Sequence, residues 1–216
     1  MINLDNVSYT FKKGGGVANV NVDINDAEFV FMIGPTGSGK TTLLRLIYMD
    51  ILPQVGNVVV NKFTSTGMKP KKLPKLRRKI GMVFQDYKLL NDRTLFDNVA
   101  LPLHVMGFSK SQIIELVEKS LQEIGLTGKA NHFPHELSGG EQQRACVARA
   151  MIKNPDILLA DEPTGNLDPV TSFELIKIFE EINKSGTTIL MASHNYNLIK
   201  GRGHRIIEIQ NGSVRS

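Results

Sequence analysis

A glycine-rich segment beginning at residue 34 has the residue types and spacing of a phosphate-binding loop. Gly34 and Gly39 enclose four residues, and a Lys-Thr pair follows directly. Glycines let backbone N–H groups point at a phosphate, and a lysine adds a mobile positive charge. We expect the Lys40 ammonium to reach the β- and γ-phosphates of ATP and the Thr41 hydroxyl to ligate Mg²⁺. The residues predicted to bind the nucleotide in this segment are Gly34, Pro35, Thr36, Gly37, Ser38, Gly39, Lys40, Thr41 and Thr42.

Two adjacent carboxylates, Asp161 and Glu162, follow the apolar run 157–160, which has the character of a buried strand. Taken alone, an Asp-Glu pair after a strand is typical of an ordinary turn. Beside a phosphate-binding loop, the same pair has the chemistry of a metal ligand and a general base. We therefore expect Asp161 to contribute to the Mg²⁺ site and Glu162 to activate the water that attacks the nucleotide.

Gln85 and His194 each follow a predicted strand as well. An amide oxygen can ligate Mg²⁺ or hold a water molecule, and an imidazole can contact a phosphate. Either residue by itself is typical of an ordinary surface side chain. In combination with the loop, we predict that Gln85 ligates Mg²⁺ or holds the attacking water and that His194 contacts the γ-phosphate.

A second glycine-containing segment, Ser138-Gly139-Gly140-Glu141-Gln142, opens a predicted helix. Ser138 and Glu141 have capping-box spacing, so a plain helix N-cap is one interpretation. Each glycine in the first turn weakens the helix by about 1 kcal/mol relative to alanine. Backbone N–H groups that approach an anion closely would compensate for this cost. Because the segment lies far along the chain from the phosphate-binding loop, we expect it to bind a γ-phosphate presented by another copy of the chain.

Phe11 stands just before a Lys-Lys-Gly turn, where an aromatic ring is able to stack on adenine. Tyr9 competes for this role, and a packed aromatic residue at a strand end is the alternative for Phe11. Cys146, in the helix that follows Ser138, has the character of a small core residue.

Strands alternate with helices along the chain, which predicts an α/β fold with a mostly parallel sheet. Alternating polar and apolar residues near the N-terminus indicate two half-buried strands around a glycine turn at residues 14–16. The apolar run Phe29–Ile33 indicates a central strand buried on both faces, and it leads into the phosphate-binding loop. A helix is predicted at 41–48, and further strands at 80–84, 157–160, 187–192 and 205–209.

Residues 91–155 have a helical character instead. Ser109 and Gln112 have capping-box spacing, and Gly125 is a candidate for the residue that ends the same helix. Its apolar face is predicted to consist of Ile114, Val117, Leu121 and Ile124. A helix from Ser138 to about residue 152 follows, and a later helix has an apolar face of Leu175, Ile176, Phe179 and Ile182. We predict a single domain with a core of residues 1–86 and 156–216 and a helical subdomain of about residues 87–155.

The composition is that of an ordinary soluble globular protein, with 216 residues, 41% of them hydrophobic and 22% charged. No apolar run approaches the roughly 18–20 residues that cross a bilayer, and the N-terminus lacks the pattern of a signal peptide. One cysteine fits a reducing cytoplasm.

The net charge of +5 is concentrated in residues 69–79, which contain seven lysines and arginines and no acidic residue. Without these seven charges, the rest of the chain carries a net charge of −2. A solvated helix face is one interpretation, and contact with anionic lipid headgroups near a membrane partner is the other. No aromatic residues lie between these charges, so we expect no nucleic-acid partner.

Together these residues resemble the nucleotide-binding domain of ABC transporters over essentially the whole chain. In that family's terms, the segments are Walker A (34–41), the Q-loop (Gln85), the signature (137–142), Walker B with its catalytic glutamate (157–162), the D-loop (165–168, ending at Asp168), the switch histidine (His194) and, by spacing, the A-loop aromatic (Phe11). The resemblance implies a RecA-like P-loop core, an N-terminal antiparallel β region and a helical subdomain. It also implies a head-to-tail homodimer with two ATP molecules sandwiched between Walker A and signature.

A narrower resemblance is to the FtsE family of cell-division ATPases. It lies in residues 85–90, 92–103 and 160–168, and the last segment is shared with lipoprotein-release and macrolide-export ATPases. The Asp-Arg-Thr segment at 92–94 favours FtsE. This resemblance implies an integral membrane partner of FtsX type, control of peptidoglycan hydrolases outside the membrane, and a cytoplasmic chain held at the inner face of the cell membrane.

Two other functions stay open at this point. One is the ATPase of an exporter or lipoprotein-release system, and the other is a non-transport ABC ATPase that binds nucleic acid or the ribosome. The latter usually has fused nucleotide domains or added arms, which this sequence does not contain. One departure from the family is Asn195, because relatives usually carry Asp after the switch histidine.

An apolar stretch directly after Gln85 offers a way to join the nucleotide site to a membrane partner. Residues 86–108 include Leu89, Leu90, Leu95, Phe96, Val99, Leu101 and Leu103. The core of the helical subdomain is one interpretation. The other is a groove, with its floor near residues 87–90, that receives a short cytoplasmic helix. We expect a mixture of the two.

Overall fold

The computed structural model describes residues 1–215. The strands are β1 (Ile2–Thr10), β2 (Gly16–Ile24), β3 (Phe29–Ile33), β4 (Val55–Val60), β5 (Phe63–Thr64), β6 (Ile80–Val83), β7 (Ile157–Asp161), β8 (Thr188–Ser193), β9 (Arg205–Gln210) and β10 (Ser213–Arg215). The helices are α1 (Lys40–Ile47), α2 (Leu73–Arg78), α3 (Leu95–Met106), α4 (Lys110–Glu123), α5 (Gly139–Met151), α6 (Pro169–Lys184) and α7 (Tyr196–Ile199), with 3-10 turns at Pro70–Lys72 and Pro134–Glu136. Within residues 1–215, every helix is too short or too polar to span a bilayer.

Four strands form an antiparallel sheet in the order β2-β1-β4-β5. In β2, Val20, Val22 and Ile24 are buried and the residues between them are exposed, which is the period of a sheet with one solvated face. β1 and β2 pair with Ile2 opposite Ile24, and the turn between them contains glycines at positive φ. The predicted pair of half-buried strands is confirmed.

The second sheet has six strands in the order β10-β9-β3-β8-β7-β6. All neighbours are parallel except β10, which pairs antiparallel with β9 at one edge. Strands β3, β7 and β8 lie inside the sheet, which explains their continuous apolar sequences. Since these strands are parallel, the carboxyl ends of β3, β6, β7 and β8 lie at one edge. The phosphate-binding loop, Gln85, Glu162 and His194 follow those ends.

Three groups of buried side chains hold the layers together. The first fills the space between the two sheets and α1, and the second packs α5 and α6 on the opposite face of the six-stranded sheet. The third joins α3, α4 and α5 and lies wholly within residues 89–152. That third group falls inside the predicted helical subdomain, whose boundaries stay a prediction.

The buried face of α4 differs from the predicted one by a residue. Ile114 is 39% exposed, whereas Ile113 is 3% exposed and packs in the third group. The helix begins after the N-cap Ser109, and Ile113, Val117 and Leu121 then recur every four residues on the buried side. The prediction for Ile114 was therefore wrong, while the capping box at Ser109 is confirmed.

The sequence pattern does not indicate β4 or β5, and it indicates α2 only as one interpretation of the basic stretch 69–79. In α2, Leu76 is buried beneath the basic stretch 69–79. The cationic side chains of that stretch are exposed except Arg77, which is half-buried and lies 4.9 Å from the centroid of the Tyr48 ring. This exposure agrees with a solvated helix face.

Candidate active site

The phosphate-binding loop joins β3 to α1, as predicted. Gly34, Gly37 and Gly39 have φ values of 155°, 81° and 111°, in a region that residues with side chains rarely adopt. A Cβ atom on Gly34 would lie 2.2 Å from the carbonyl oxygen of Ile209. One on Gly39 would lie 2.7 Å from Cγ1 of Val17. The backbone path and its close packing both require glycine here.

The start of α1 carries no side-chain cap. Its N-cap is Gly39, and its first turn has no acidic residue. The first N–H groups of such a helix are free to bind an anion, and the helix dipole favours negative charge at this end. The loop and the helix start therefore have the electrostatics of a phosphate site.

Lys40 lies at the centre of this loop with only 5% of its side chain exposed. Its Nζ donates hydrogen bonds to the carbonyl oxygens of Gly34, at 2.7 Å, and Pro35, at 3.1 Å. The same nitrogen is 3.1 Å from Oε1 of Glu162. The cation is thus held between the loop backbone and the carboxylate that follows β7.

Asp161 ends β7 beside the first turn of α1. The Thr41 hydroxyl donates to Oδ1 of Asp161 at 3.1 Å. Burial raises the pKa of the Asp161 carboxyl, the Thr41 hydrogen bond lowers it, and the neighbouring charge of Glu162 raises it. A hydroxyl and a carboxylate in contact are hard oxygen donors of the kind that Mg²⁺ takes alongside nucleotide phosphates. These two residues therefore fit the predicted metal site.

Glu162 is held in an uncommon backbone conformation, with φ at 49°. Its backbone N–H donates to the carbonyl oxygen of Ala192 in β8. Its Oε2 lies 2.7 Å from Nδ1 of His194 and accepts the His194 backbone N–H at 3.1 Å. The structure therefore brings the predicted base and the predicted γ-phosphate contact together.

Gln85 follows β6 at the same edge of the sheet and packs against the segment after Glu162. A Cβ atom on Gly165 would lie 2.9 Å from Nε2 of Gln85. The Asn166 side chain donates to the backbone carbonyl of Gln85 at 3.1 Å. The residue predicted to ligate Mg²⁺ or hold the attacking water thus touches the segment that the family resemblance identifies as the D-loop.

Most of the predicted site residues line one cleft of about 390 Å³, whereas Gly34, Pro35, Ser38 and Asp161 are not part of its lining. Its walls include Phe11, Thr36, Gly37, Gly39, Lys40, Thr41, Thr42, Gln85, Glu162 and His194. Phe11 faces the cleft, whereas Tyr9 packs against the core between the sheets and meets Phe11 edge-on at 4.9 Å between centroids. Phe11 is therefore the aromatic ring available to a nucleotide base, and Tyr9 supports it.

The signature segment lies in a different groove. Ser138 forms the predicted capping box: its hydroxyl accepts from the N–H of Glu141, and its N–H donates to the Glu141 carboxylate at 2.9 Å. Its neighbours in that groove are Asn166, Leu167, Asp168 and Thr171. Among residues 1–215, this groove and the nucleotide cleft have no lining residue in common.

Asp168 and Asn195 both cap helices. Asp168 accepts hydrogen bonds from the Thr171 hydroxyl and from the backbone N–H groups of Thr171 and Val170, which lower the pKa of its carboxyl. The Asn195 side chain accepts from the N–H of Leu198 at the start of α7. An amide oxygen satisfies this cap as a carboxylate would, so the departure at residue 195 keeps the local fold.

Sequence reasoning missed the role of α5 beside Gln85. Arg149 and Cys146 contact the backbone carbonyls of Tyr87 and Lys88. Backbone acceptors have no side-chain signature, so no residue pattern could have indicated these contacts. Cys146 is fully buried, as expected of a core residue, and burial raises the pKa of its thiol to about 12.

Comparisons with known proteins agree on one family. The sequence profile of the family described as ABC transporter matches residues 17–165. The cell division ATP-binding proteins FtsE of Mycobacterium tuberculosis and Escherichia coli K12 are 47% and 44% identical to this chain. Each alignment covers 99% of this chain, and they cover 94% and 97% of the relatives.

Solved structures lead to the same family. A dimeric ATP-binding cassette described as a post-hydrolysis state bound to ADP and Pi is 36% identical, with a TM-score of 0.91. A dimeric bacterial ABC transporter cassette is 37% identical with the same TM-score, and both matches cover 100% of this chain and 97% of the other. The predicted fold class, the predicted ABC-type ATPase and the resemblance to FtsE are confirmed. The chain belongs to the ABC transporter family of ATPases, among the cell-division ATP-binding proteins named FtsE.

Proposed function

We propose that this chain is the ATP-hydrolysing subunit of an FtsEX-type complex, in which it drives a membrane partner of FtsX type that regulates peptidoglycan hydrolysis during cell division. The observation that carries the proposal is the similarity to FtsE proteins over nearly the full length of both chains. The chain then works in the cytoplasm, bound peripherally to the inner face of the cell membrane through its partner.

The geometry of the cleft supports a division of labour in hydrolysis. Lys40 and the free N–H groups of the loop hold the β- and γ-phosphates, and Phe11 stacks on adenine. Glu162 accepts the proton of the attacking water, and His194 orients that carboxylate and contacts the γ-phosphate. Contacts that fix the base before the reaction lower its reorganisation cost.

Three residues would hold Mg²⁺: Thr41, Asp161 and Gln85. Their oxygen atoms match the preference of this ion, and the contact of Thr41 with Asp161 supports the assignment. When bound, Mg²⁺ supplies positive charge that neutralises the phosphate oxygens.

The signature residues Ser138, Gly139, Gly140, Glu141 and Gln142 serve the nucleotide of a second copy in the ATP-bound homodimer. The separation of their groove from the nucleotide cleft supports this arrangement. Asp168 lies in the same groove and belongs to the same interface. The dimeric state of the related cassettes is consistent with it.

Residues 87–155 act as a helical subdomain that transmits nucleotide-dependent movement to the membrane partner. Leu90, Leu101 and Val105 are 42%, 40% and 75% exposed, although most neighbouring apolar side chains are buried. We propose that the floor of the groove near Leu90 contacts a short apolar helix of the partner. Leu95, Val99 and Leu103 are instead core residues.

The identity of the membrane partner distinguishes this function from its alternative, the ATPase of an exporter or lipoprotein-release system. An affinity-tagged chain is expressed in the organism that encodes it, and complexes are purified from detergent-solubilised membranes. Recovery of an FtsX-type four-helix membrane protein, with filamentous cells when the chain is depleted, is the expected result. Recovery of an exporter subunit, with normal division on depletion, would establish the alternative.

A further inference from the structure

Two consecutive residues after Gln85 have a left-handed backbone. Tyr87 and Lys88 have φ values of 60° and 52°. Side-chain-bearing residues rarely adopt this conformation, and two in succession are rarer because each one is disfavoured by its own Cβ. A segment of this kind persists only where its surroundings hold it.

The signature helix α5 holds this segment through its backbone. The Arg149 guanidinium donates from Nη1 to the carbonyl oxygen of Lys88 at 2.5 Å and from Nη2 to that of Tyr87 at 2.7 Å. The buried thiol of Cys146, one turn earlier on α5, donates to the same Tyr87 oxygen at 3.0 Å. A guanidinium presents its N–H groups in a rigid fork, so Arg149 fixes two carbonyls relative to each other.

Two further contacts tie residues 85–88 to their surroundings. The Asn166 side chain donates to the backbone carbonyl oxygen of Gln85. The Tyr87 hydroxyl lies close to the start of α5, since a Cβ atom on Gly139 would be 3.0 Å from it. Gln85 is therefore connected to the signature helix through a short, strained backbone segment.

We propose that Arg149, assisted by Cys146, is a positioning residue for ATP hydrolysis. It holds Tyr87 and Lys88 in their left-handed conformation, and in this way keeps the Gln85 side chain in the nucleotide cleft and ties it to the signature helix. Arg149 touches neither nucleotide nor reacting atoms. The proposal rests on the function proposed above and adds a residue that the sequence motifs do not include.

The first test is Arg149→Gln in the purified full-length chain. Without the two guanidinium hydrogen bonds, Tyr87 and Lys88 leave their left-handed conformation and the Gln85 side chain moves out of the cleft. The kcat for ATP hydrolysis should therefore fall about tenfold or more. The Kd for ATP should change less than about twofold, because the phosphate-binding loop is untouched. An unchanged kcat would overturn the proposal. Arg149→Lys serves as a second variant if Arg149→Gln does not fold, because one ammonium cannot replace the fork.

A glycine rescue separates positioning from a general loss of stability. Glycine adopts positive φ without steric cost, so adding Lys88→Gly to the Arg149 variant should recover at least about fivefold of the lost kcat. The matched control is Lys88→Ala, which removes the same exposed ion pair with Asp86 but keeps a Cβ atom. Equal recovery with glycine and alanine, or none with either, would show that Arg149 only stabilises the fold.

The unmodified chain measured alongside separates the two proposals. If that chain hydrolyses no ATP at any concentration, the proposed function is wrong. If it hydrolyses ATP and the Arg149 variant does so equally well, only the positioning role is wrong. Thermal unfolding of every variant checks that each rate belongs to folded protein.

Discussion

Glu162 and His194 are joined twice through one carboxylate oxygen. Oε2 of Glu162 lies 2.7 Å from Nδ1 of His194 and accepts the backbone N–H of the same residue at 3.1 Å. The other oxygen, Oε1, is 3.1 Å from Nζ of Lys40. Both carboxylate oxygens therefore have a partner, and the orientation of this side chain is set by one residue from α1 and one that follows β8.

Replacement of Glu162 by Gln tests the predicted base. The amide has the same shape and can still accept from His194, but it cannot take a proton from water. We expect ATP binding to persist and hydrolysis to fall about 10²- to 10⁴-fold. Size-exclusion chromatography with ATP should show accumulation of the dimer. The exposed Glu181→Gln is the control, and full activity of the Glu162 variant would rule out its role as base.

Lys40→Ala removes the one side-chain cation inside the phosphate-binding loop. ATP then loses its charge contact with the ammonium, and Glu162 loses its ion-pair partner. The free energy of ATP binding should therefore weaken by about 2–5 kcal/mol. A calorimetric titration with ATP measures the loss, with Lys119→Ala on the exposed face of α4 as the control. Unchanged affinity would remove the assignment of the phosphate-binding loop.

The shared site predicts complementation between two inactive variants. Ser138→Arg blocks the signature groove, and Lys40→Ala disables the nucleotide cleft. Mixing folded Ser138→Arg chains with an excess of Lys40→Ala chains should restore one complete site per heterodimer, and the unmodified chain should show a rate per chain that rises with concentration. Recovery at no mixing ratio would count against a site shared between copies.

Replacement of Asp161 by Asn should raise the free energy of unfolding by an amount that depends on pH. Burial raises its folded-state pKa above the ordinary 3.8, so the ionised carboxylate destabilises the folded state at neutral pH. Asp161→Asn keeps an acceptor for Thr41 and should raise the free energy of unfolding at neutral pH. The gain should shrink as pH falls through the raised pKa and vanish below the ordinary one.

Denaturant unfolding across this pH range measures the effect of Asp161→Asn, with the exposed Asp92→Asn as the control. The same variant should lose much of the Mg²⁺ dependence of ATP binding, since the charged carboxylate proposed as a ligand is replaced by a neutral amide. A variant that is less stable at neutral pH than the unmodified chain would contradict the assigned cost of the buried charge.

Leu90→Glu tests the proposed docking surface. A charge at this half-exposed position should leave ATP binding nearly normal and prevent recruitment of the chain to membranes that contain its partner. Leu52→Glu is a matched control, because Leu52 is equally exposed at 42% and lies outside the predicted helical subdomain. Full co-purification of a folded Leu90→Glu chain with the membrane partner would show that docking occurs elsewhere.

Features that depend on near neighbours along the chain could be predicted from the residue pattern alone. The phosphate-binding loop is contiguous, and the capping boxes at Ser109 and Ser138 join residues three apart, so spacing was enough to predict them. Buried strands were visible as apolar runs because both of their faces are covered. Family resemblance then placed the remaining motifs.

Contacts between residues far apart in the chain became visible in the folded structure and could not be predicted from local pattern. Glu162 reaches Lys40 and His194 because the parallel strands β3, β7 and β8 end at one edge of the sheet. The order of strands in a sheet cannot be predicted from the local pattern of apolar residues. Phe11 faces the cleft rather than Tyr9 because of how the two sheets pack. Arg149 acts on backbone carbonyls of a left-handed segment, and such acceptors are identical for every residue type, so only the folded backbone reveals the contact.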